Sequence, residues 1–211
     1  MVELIFVIVV IGILAALAIP RLERDLRQEA AINILSAIRY TQHLALIDDK
    51  TDPTQPKWQQ RFWRLYFGTC NGGKFYAIGS DNNMESASNA RVDFNESAID
   101  PANGKRIWAH DGSGCSGSHA MSEISPNIFI GKKYGIDTIS GGCGNVKYVA
   151  FDHLGRPHGS GFSTSASPDY SSYMTTDCNF TFSSSSNAFD PFSIIIEKES
   201  GYAYIEGQEG S

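Results

Sequence analysis

The chain has 211 residues, 42% of them apolar, and a formal charge of −6; this suffices for one ordinary domain plus an extended element and excludes a disordered chain. The charge is uneven: residues 1–64 carry eight Lys/Arg against seven Asp/Glu, and residues 65–211 carry nine against sixteen. An acidic C-terminal region repels phosphate backbones, and its only adjacent basic pairs are Lys105-Arg106 and Lys132-Lys133, so no nucleic-acid partner is expected.

From Leu4 to Ile19 no side chain is charged or hydrogen-bonding, and Met1 and Val2 extend the apolar run across Glu3. The run is longer than a secretory core of about 7–15 residues and sits at the lower edge of the roughly 17–25 that span a bilayer, which predicts a membrane helix over 1–20. Glu3 is costly at the edge of hydrocarbon unless it finds a partner or water. Pro20 lacks the amide that would bond back to Ala16, so a kink is expected there.

Arg21 with Asp25 and Glu23 with Arg27 form i, i+4 pairs in the polar segment that follows. Ala31, Ile34, Leu35, Ile38, Gln42, Ala45 and Leu46 then recur at three- and four-residue steps, the stripe of a helix with one packed face. A helix from the N-terminus to about Ile47 would be roughly 70 Å long. Turn residues from Asp48 to Pro56 end it.

Six aromatic or β-branched runs follow: 62–67, 74–78, 145–152, 179–183, 192–198 and 202–206, separated by Gly, Asn, Asp, Pro and Ser. They predict an antiparallel sheet with long loops. Trp58, Trp63, Tyr66, Phe67, Phe75 and Tyr76 fall where the first strands should meet the helix and read as core. Leu154-Gly155 and Ser200-Gly201 supply turn positions, and Ser160–Ser172 and Ser183–Ser186 read as exposed loops.

Cys70, Cys115, Cys143 and Cys178 are even in number and widely spaced, with no Cys-x-x-Cys, which suits two disulfides in an oxidising compartment. Four cysteines allow three pairings. Cys143 with Cys178 is expected because the pair flanks two strands placed near one another, 145 onward and 179 onward; Cys70 with Cys115 would close the second loop.

The segment His110-Asp111-Gly112-Ser113-Gly114-Cys115-Ser116-Gly117-Ser118-His119 offers imidazole, carboxylate and thiolate, but fits no zinc spacing, and oxidation of Cys115 removes the thiolate. Asp81-Asn82-Asn83-Met84-Glu85 offers oxygen ligands without the EF-hand pattern. No Gly-x-Ser-x-Gly elbow occurs. Accordingly no catalytic residue, metal or cofactor is expected. Asn95 and Asn179 sit in Asn-x-Ser/Thr sequons, each with an acid two residues earlier, Asp93 and Asp177; this matches the extended acceptor of some bacterial periplasmic oligosaccharyltransferases, with Asn95 the more accessible.

Met1-Val2-Glu3-Leu4-Ile5, the Gly12-Ile13-Leu14-Ala15-Ala16 stretch and Pro20 together resemble the N-terminal segment of type IV pilins and type II secretion pseudopilins. Val149 to Pro157 and Ile194 to Tyr202 resemble the strand, turn and closing hairpin of minor pseudopilin heads. The resemblance implies an α+β fold: a long kinked N-terminal helix, its first half membrane-spanning, packed on an antiparallel β-sheet head. The divisions would be 1–20 for the transmembrane and assembly helix, 21–52 for the amphipathic continuation and 53–211 for the disulfide-stapled head.

In that family a prepilin peptidase cuts after a glycine and the new terminal residue, usually phenylalanine, is methylated. Glu3 maps onto the glutamate held to neutralise a neighbouring subunit's terminal amine. The leader, its glycine, the phenylalanine and the Ser/Thr before Met1 are absent here, so the true start is expected upstream. The implied function is that of a structural subunit of a type IV pilus or type II secretion pseudopilus, a minor pseudopilin. Implied partners are other subunits, the inner-membrane assembly platform, the prepilin peptidase and the membrane, with single-pass inner-membrane localisation and a periplasmic head. The alternative is a filament-tip module for adhesion or DNA uptake.

Overall fold

The computed structural model describes residues 2–84, 92–144 and 146–210; within the N-terminal helix, side chains are described for 5–12 and from 26 onward. Helix α1 (Val2–Ile47) is followed by strands β1 (Trp63–Cys70) and β2 (Gly73–Gly79), the short helix α2 (Ile130–Tyr134), and strands β3 (Thr138–Gly142), β4 (Tyr148–Phe151), β5 (Pro157–His158), β6 (Cys178–Ser183), β7 (Phe192–Ile196) and β8 (Ala203–Ile205).

Burial along α1 follows the apolar stripe. Ala30, Ala31, Ile34, Leu35, Ala37, Ile38 and Ala45 are buried, and Thr41 joins them by donating its hydroxyl to the Ala37 carbonyl at 2.8 Å. Leu46 departs from the stripe and is exposed. Just past the helix end, Asp48 accepts from the Trp63 indole at 2.9 Å and pairs with Lys50 at 2.6 Å, fastening the helix exit to the start of β1.

Among the described residues the strands form two antiparallel four-stranded sheets, ordered β2-β1-β4-β5 and β3-β6-β7-β8. The sheets meet through aromatic rings: Phe67 of β1 lies 5.5 Å from Phe180 and 5.4 Å from Phe182 of β6. Tyr66, Phe75 and Tyr76 share that core, whereas Trp58 packs with Phe62, Ala150 and Phe162 in a smaller one. Trp63 is half-buried. The outer edge of β8 is closed by Arg39, whose guanidinium donates twice to the Ala203 carbonyl, and by the Gln208 amide on the Ile205 carbonyl.

These findings correct the expected fold in two respects. The head is two sheets, not one. Strands β3 and β5 account for part of the difference: neither lies in a predicted run, since Thr138–Gly142 carries two glycines and β5 has two residues. The expected membrane-spanning first half is also overturned. Among the described residues no helix is long and apolar enough to cross a membrane. The described side chains of α1 cover Ile5–Gly12 and resume at Leu26, in the half that packs on the head.

Candidate functional site

Ile5 to Ile11 are exposed by 38–70%. Gly12 is exposed too, and a Cβ built on it would meet nothing within 4 Å. Eight consecutive residues cover more than two helical turns, so every side of this stretch carries exposed side chains. A contiguous apolar surface of this kind marks an interaction site. The side chains of Glu3 and Pro20, the two expected assembly residues, lie outside the described residues, as do those of Arg21, Glu23 and Asp25.

The second half of α1 is gripped on both flanks. On one, Gln28 and Gln208 exchange amide hydrogen bonds at 3.1 and 3.0 Å, and Arg39 holds the Ala203 carbonyl at 2.7 Å. On the other, Tyr40 donates to the Ile99 carbonyl at 2.9 Å, and Glu29 pairs with Lys133 at 2.9 Å. Gln42, which the sequence places on the apolar stripe, does polar work: its amide donates to the carbonyls of Gly155 and Ser200, both at 2.9 Å. It thereby ties together the two turns that carry Gly155 and Gly201, both with positive φ, +79° and +67°. A side chain at Gly201 would collide with the Gly155 carbonyl.

Both disulfides form as expected, Cys70–Cys115 with Cα atoms 5.2 Å apart and Cys143–Cys178 at 4.6 Å. The strands behind the second pairing differ from those expected. Cys143 follows β3, which pairs with β6 through Gly142 opposite Asn179, whereas β4 belongs to the other sheet.

The Cys70 bond anchors the loop from His110 to His119. His119 stacks flat on Phe94 at 3.8 Å, and Trp108 stands edge-on to both rings. With Asp93, Asn95, His110 and Ser118 these rings line an open cleft of about 370 Å³. Cys115 is oxidised, so the pair of imidazoles has no thiolate beside it, and among the described residues no group of three His, Cys, Asp or Glu could hold a metal. In the acidic loop from Asp81, Glu85 lies outside the described residues. Asn95 is exposed in a short 3-10 turn, but the Ser97 of its sequon is buried and donates to the Phe94 carbonyl at 2.6 Å. Asn179 is exposed on β6, with strands paired on both sides.

One buried constellation has no counterpart in the sequence reading. His158 Nδ1 lies 2.9 Å from the Ser172 hydroxyl, and its Nε2 lies 3.5 Å from Asp152 Oδ2. Asp152 also accepts from the Arg156 guanidinium at 2.7 Å and from the amides of Leu154 and Arg156. Burial alone would raise the Asp152 carboxyl; hydrogen bonds from His158 and Arg156 outweigh it and hold the group at about 2. The constellation superficially matches a Ser-His-Asp triad, yet all three side chains are buried, and the Ser172 hydroxyl donates to the Asp169 carbonyl at 2.8 Å. It braces the turn that Gln42 holds. The spacing of Asp152, Arg156 and His158 was its only sequence signal.

Comparison with protein-family models, with curated proteins and with solved structures finds no match. The chain's own residues are therefore what bears on function.

Proposed function

We propose that this chain is a structural subunit of an extracytoplasmic filament of the type IV pilus or type II secretion pseudopilus kind, a minor pseudopilin that assembles through its N-terminal helix. The observation that carries the reading is the all-round exposure of Ile5 to Ile11 on a helix whose other half is locked into a disulfide-stapled head. Left in water, such a surface costs about 25 cal/mol for every Å² that packing would cover, and the matching stretch of neighbouring subunits is the cover that a filament provides. The resemblance of residues 1–20 to the pilin N-terminal segment supports the same reading, with Glu3 meeting a neighbour's terminal amine and the assembly platform and prepilin peptidase as partners. The acidic head weighs against DNA uptake.

The test is incorporation of Ile8→Asp and Glu3→Ala chains into filaments in cells, quantified against wild type. Both should fall about tenfold or more, because each leaves an uncompensated charge in helix packing. Wild-type incorporation of Ile8→Asp would overturn the reading.

A further inference from the structure

Lys105 of one basic pair and both lysines of the other, Lys132 and Lys133, meet around one cleft of about 440 Å³. Its floor is apolar, built by Met121, Ile124 and Phe129, and its rim carries Lys105, Lys132 and Lys133. Met121 is 52% exposed, unusual for a side chain of its type on an acidic domain. Lys133 is held by Glu29 at 2.9 Å, and Arg106 turns away to donate to the Ser97 carbonyl at 2.6 Å. Asp100, whose partner Asn127 also lines the cleft, already accepts from Ser125, Asn103 and Asn127. Lys105 and Lys132 thus make no ion pair among the described residues.

The neighbouring flank of α1 carries a surface of inverse character. Glu29 and Tyr40 reach the loops on the cleft side, whereas Gln28 and Arg39 reach the β8 side, about 100° away around the helix. Residues 203 and 205 of β8 are buried, so Tyr202, Tyr204 and Glu206 point outward, with the two rings stacked at 5.8 Å. Glu197 and Glu209 reach the same edge, the Glu197 amide donating to the Tyr202 carbonyl at 2.9 Å and the Tyr202 hydroxyl donating to the Glu209 carbonyl at 2.8 Å, and partial burial followed by the charges of Asp177, Glu197, Glu209 and Glu206 raises the pKa of the Tyr204 phenol. Against these acids and Glu199 the edge carries two cations, Lys198 within the segment from Glu197 to Glu209 and Arg39 of α1, which lies 5.6 Å from the Tyr202 ring centre.

We propose that the lysine-rimmed cleft receives the Tyr204 edge of a second copy of this chain, with an aromatic ring on the Met121–Phe129 floor and carboxylates against Lys105 and Lys132. Charge complementarity selects this occupant. Heads with an excess of acid repel one another over most orientations, and the cleft is where an acidic, aromatic edge is accepted. Tyrosine is suited to the role, since it brings large contact area with little conformational freedom to lose. Because the two surfaces differ and lie on separate flanks of the helix, the contact is heterologous and can repeat from head to head without closing. It is a contact between heads, separate from the helix packing proposed above.

The experiment replaces Tyr204 with the photoreactive residue p-benzoylphenylalanine in the full chain and maps cross-links by mass spectrometry. The expected product is an intermolecular bond to Met121. Its yield should fall about tenfold when the acceptor copy carries Lys105→Glu and Lys132→Glu, and return when the probe copy also carries Glu206→Lys and Glu209→Lys. Rescue by the paired reversal shows in the same step that the acceptor is folded. Cross-links confined to other residues or other proteins, no intermolecular product, or a yield indifferent to charge reversal would each overturn the proposal. A parallel probe at Phe6 reads helix packing, so failure of the head contact and failure of the filament reading give different patterns.

Discussion

Residues 5–12 and 30–45 belong to one α-helix, yet their surroundings are opposite. The first stretch is apolar on every side and exposed on every side; the second is apolar on one side and buried on that side. Helix propensity does not separate them, since both form. What separates them is pattern. A stripe specifies one docking face within the chain, and a uniformly apolar helix specifies none, so its partners must come from outside. Among the described residues the head's polar clasps, at Gln28, Glu29, Arg39, Tyr40 and Gln42, lie in or just before the second stretch.

The comparison can be broken most strongly from the head. Replacing Cys143 and Cys178 together by Ala releases a loop with a separation of 35 residues, for which chain entropy gives about 4 kcal/mol. Urea unfolding should show that loss, while exposure of the Ile5–Ile11 stretch stays unchanged. Within the helix, Ile38→Ala should cost about 3 kcal/mol through the cavity it leaves in a fully buried site, whereas Ile8→Ala should change head stability by less than about 0.5 kcal/mol. Equal costs for the two would erase the distinction between the halves.

The Asp152 constellation adds a pH dependence. The carboxyl is held at about 2, below its ordinary value near 3.8, so its stabilising contribution is fully present above about pH 4 and is lost as pH falls through about 2. The amplitude is about 2 kcal/mol. Acid unfolding of wild type against Asp152→Asn should differ across that window, the variant lacking this portion of the slope. Smaller still, Gln42→Ala should cost about 1–2 kcal/mol, since two turn carbonyls lose their donor. Hydrogen exchange should rise first in the turns at Gly155 and Gly201.

Much of the packed half was legible in the sequence because local periodicity reports burial directly. Ala31, Ile34, Leu35, Ile38 and Ala45 are buried as their spacing predicts, the helix ends at Ile47, and strands appear within all six predicted runs. Both disulfide pairings were legible as well, although the neighbouring strands behind Cys143–Cys178 were misjudged. Long-range pairing was not legible. Nothing local in Phe62–Phe67 or Asn179–Ser183 says that they join different sheets, and Gly141-Gly142 hides a strand whose side chains contribute little pattern. Roles that depend on distant partners were hidden likewise: Gln42 joining two turns, His158 buried beside Asp152, and Lys105 meeting Lys132 across one cleft.

The central claim is that the exposed stretch of α1 packs against the matching stretch of neighbouring subunits. It is tested most directly by placing p-benzoylphenylalanine at Phe6, which is 70% exposed, in the full chain and locating its cross-links in cells that assemble it. The account predicts intermolecular bonds to the N-terminal helix of another subunit, between residues 5 and 12 or just beyond. Bonds running only to the chain's own head, or to lipid with no second subunit, would contradict it.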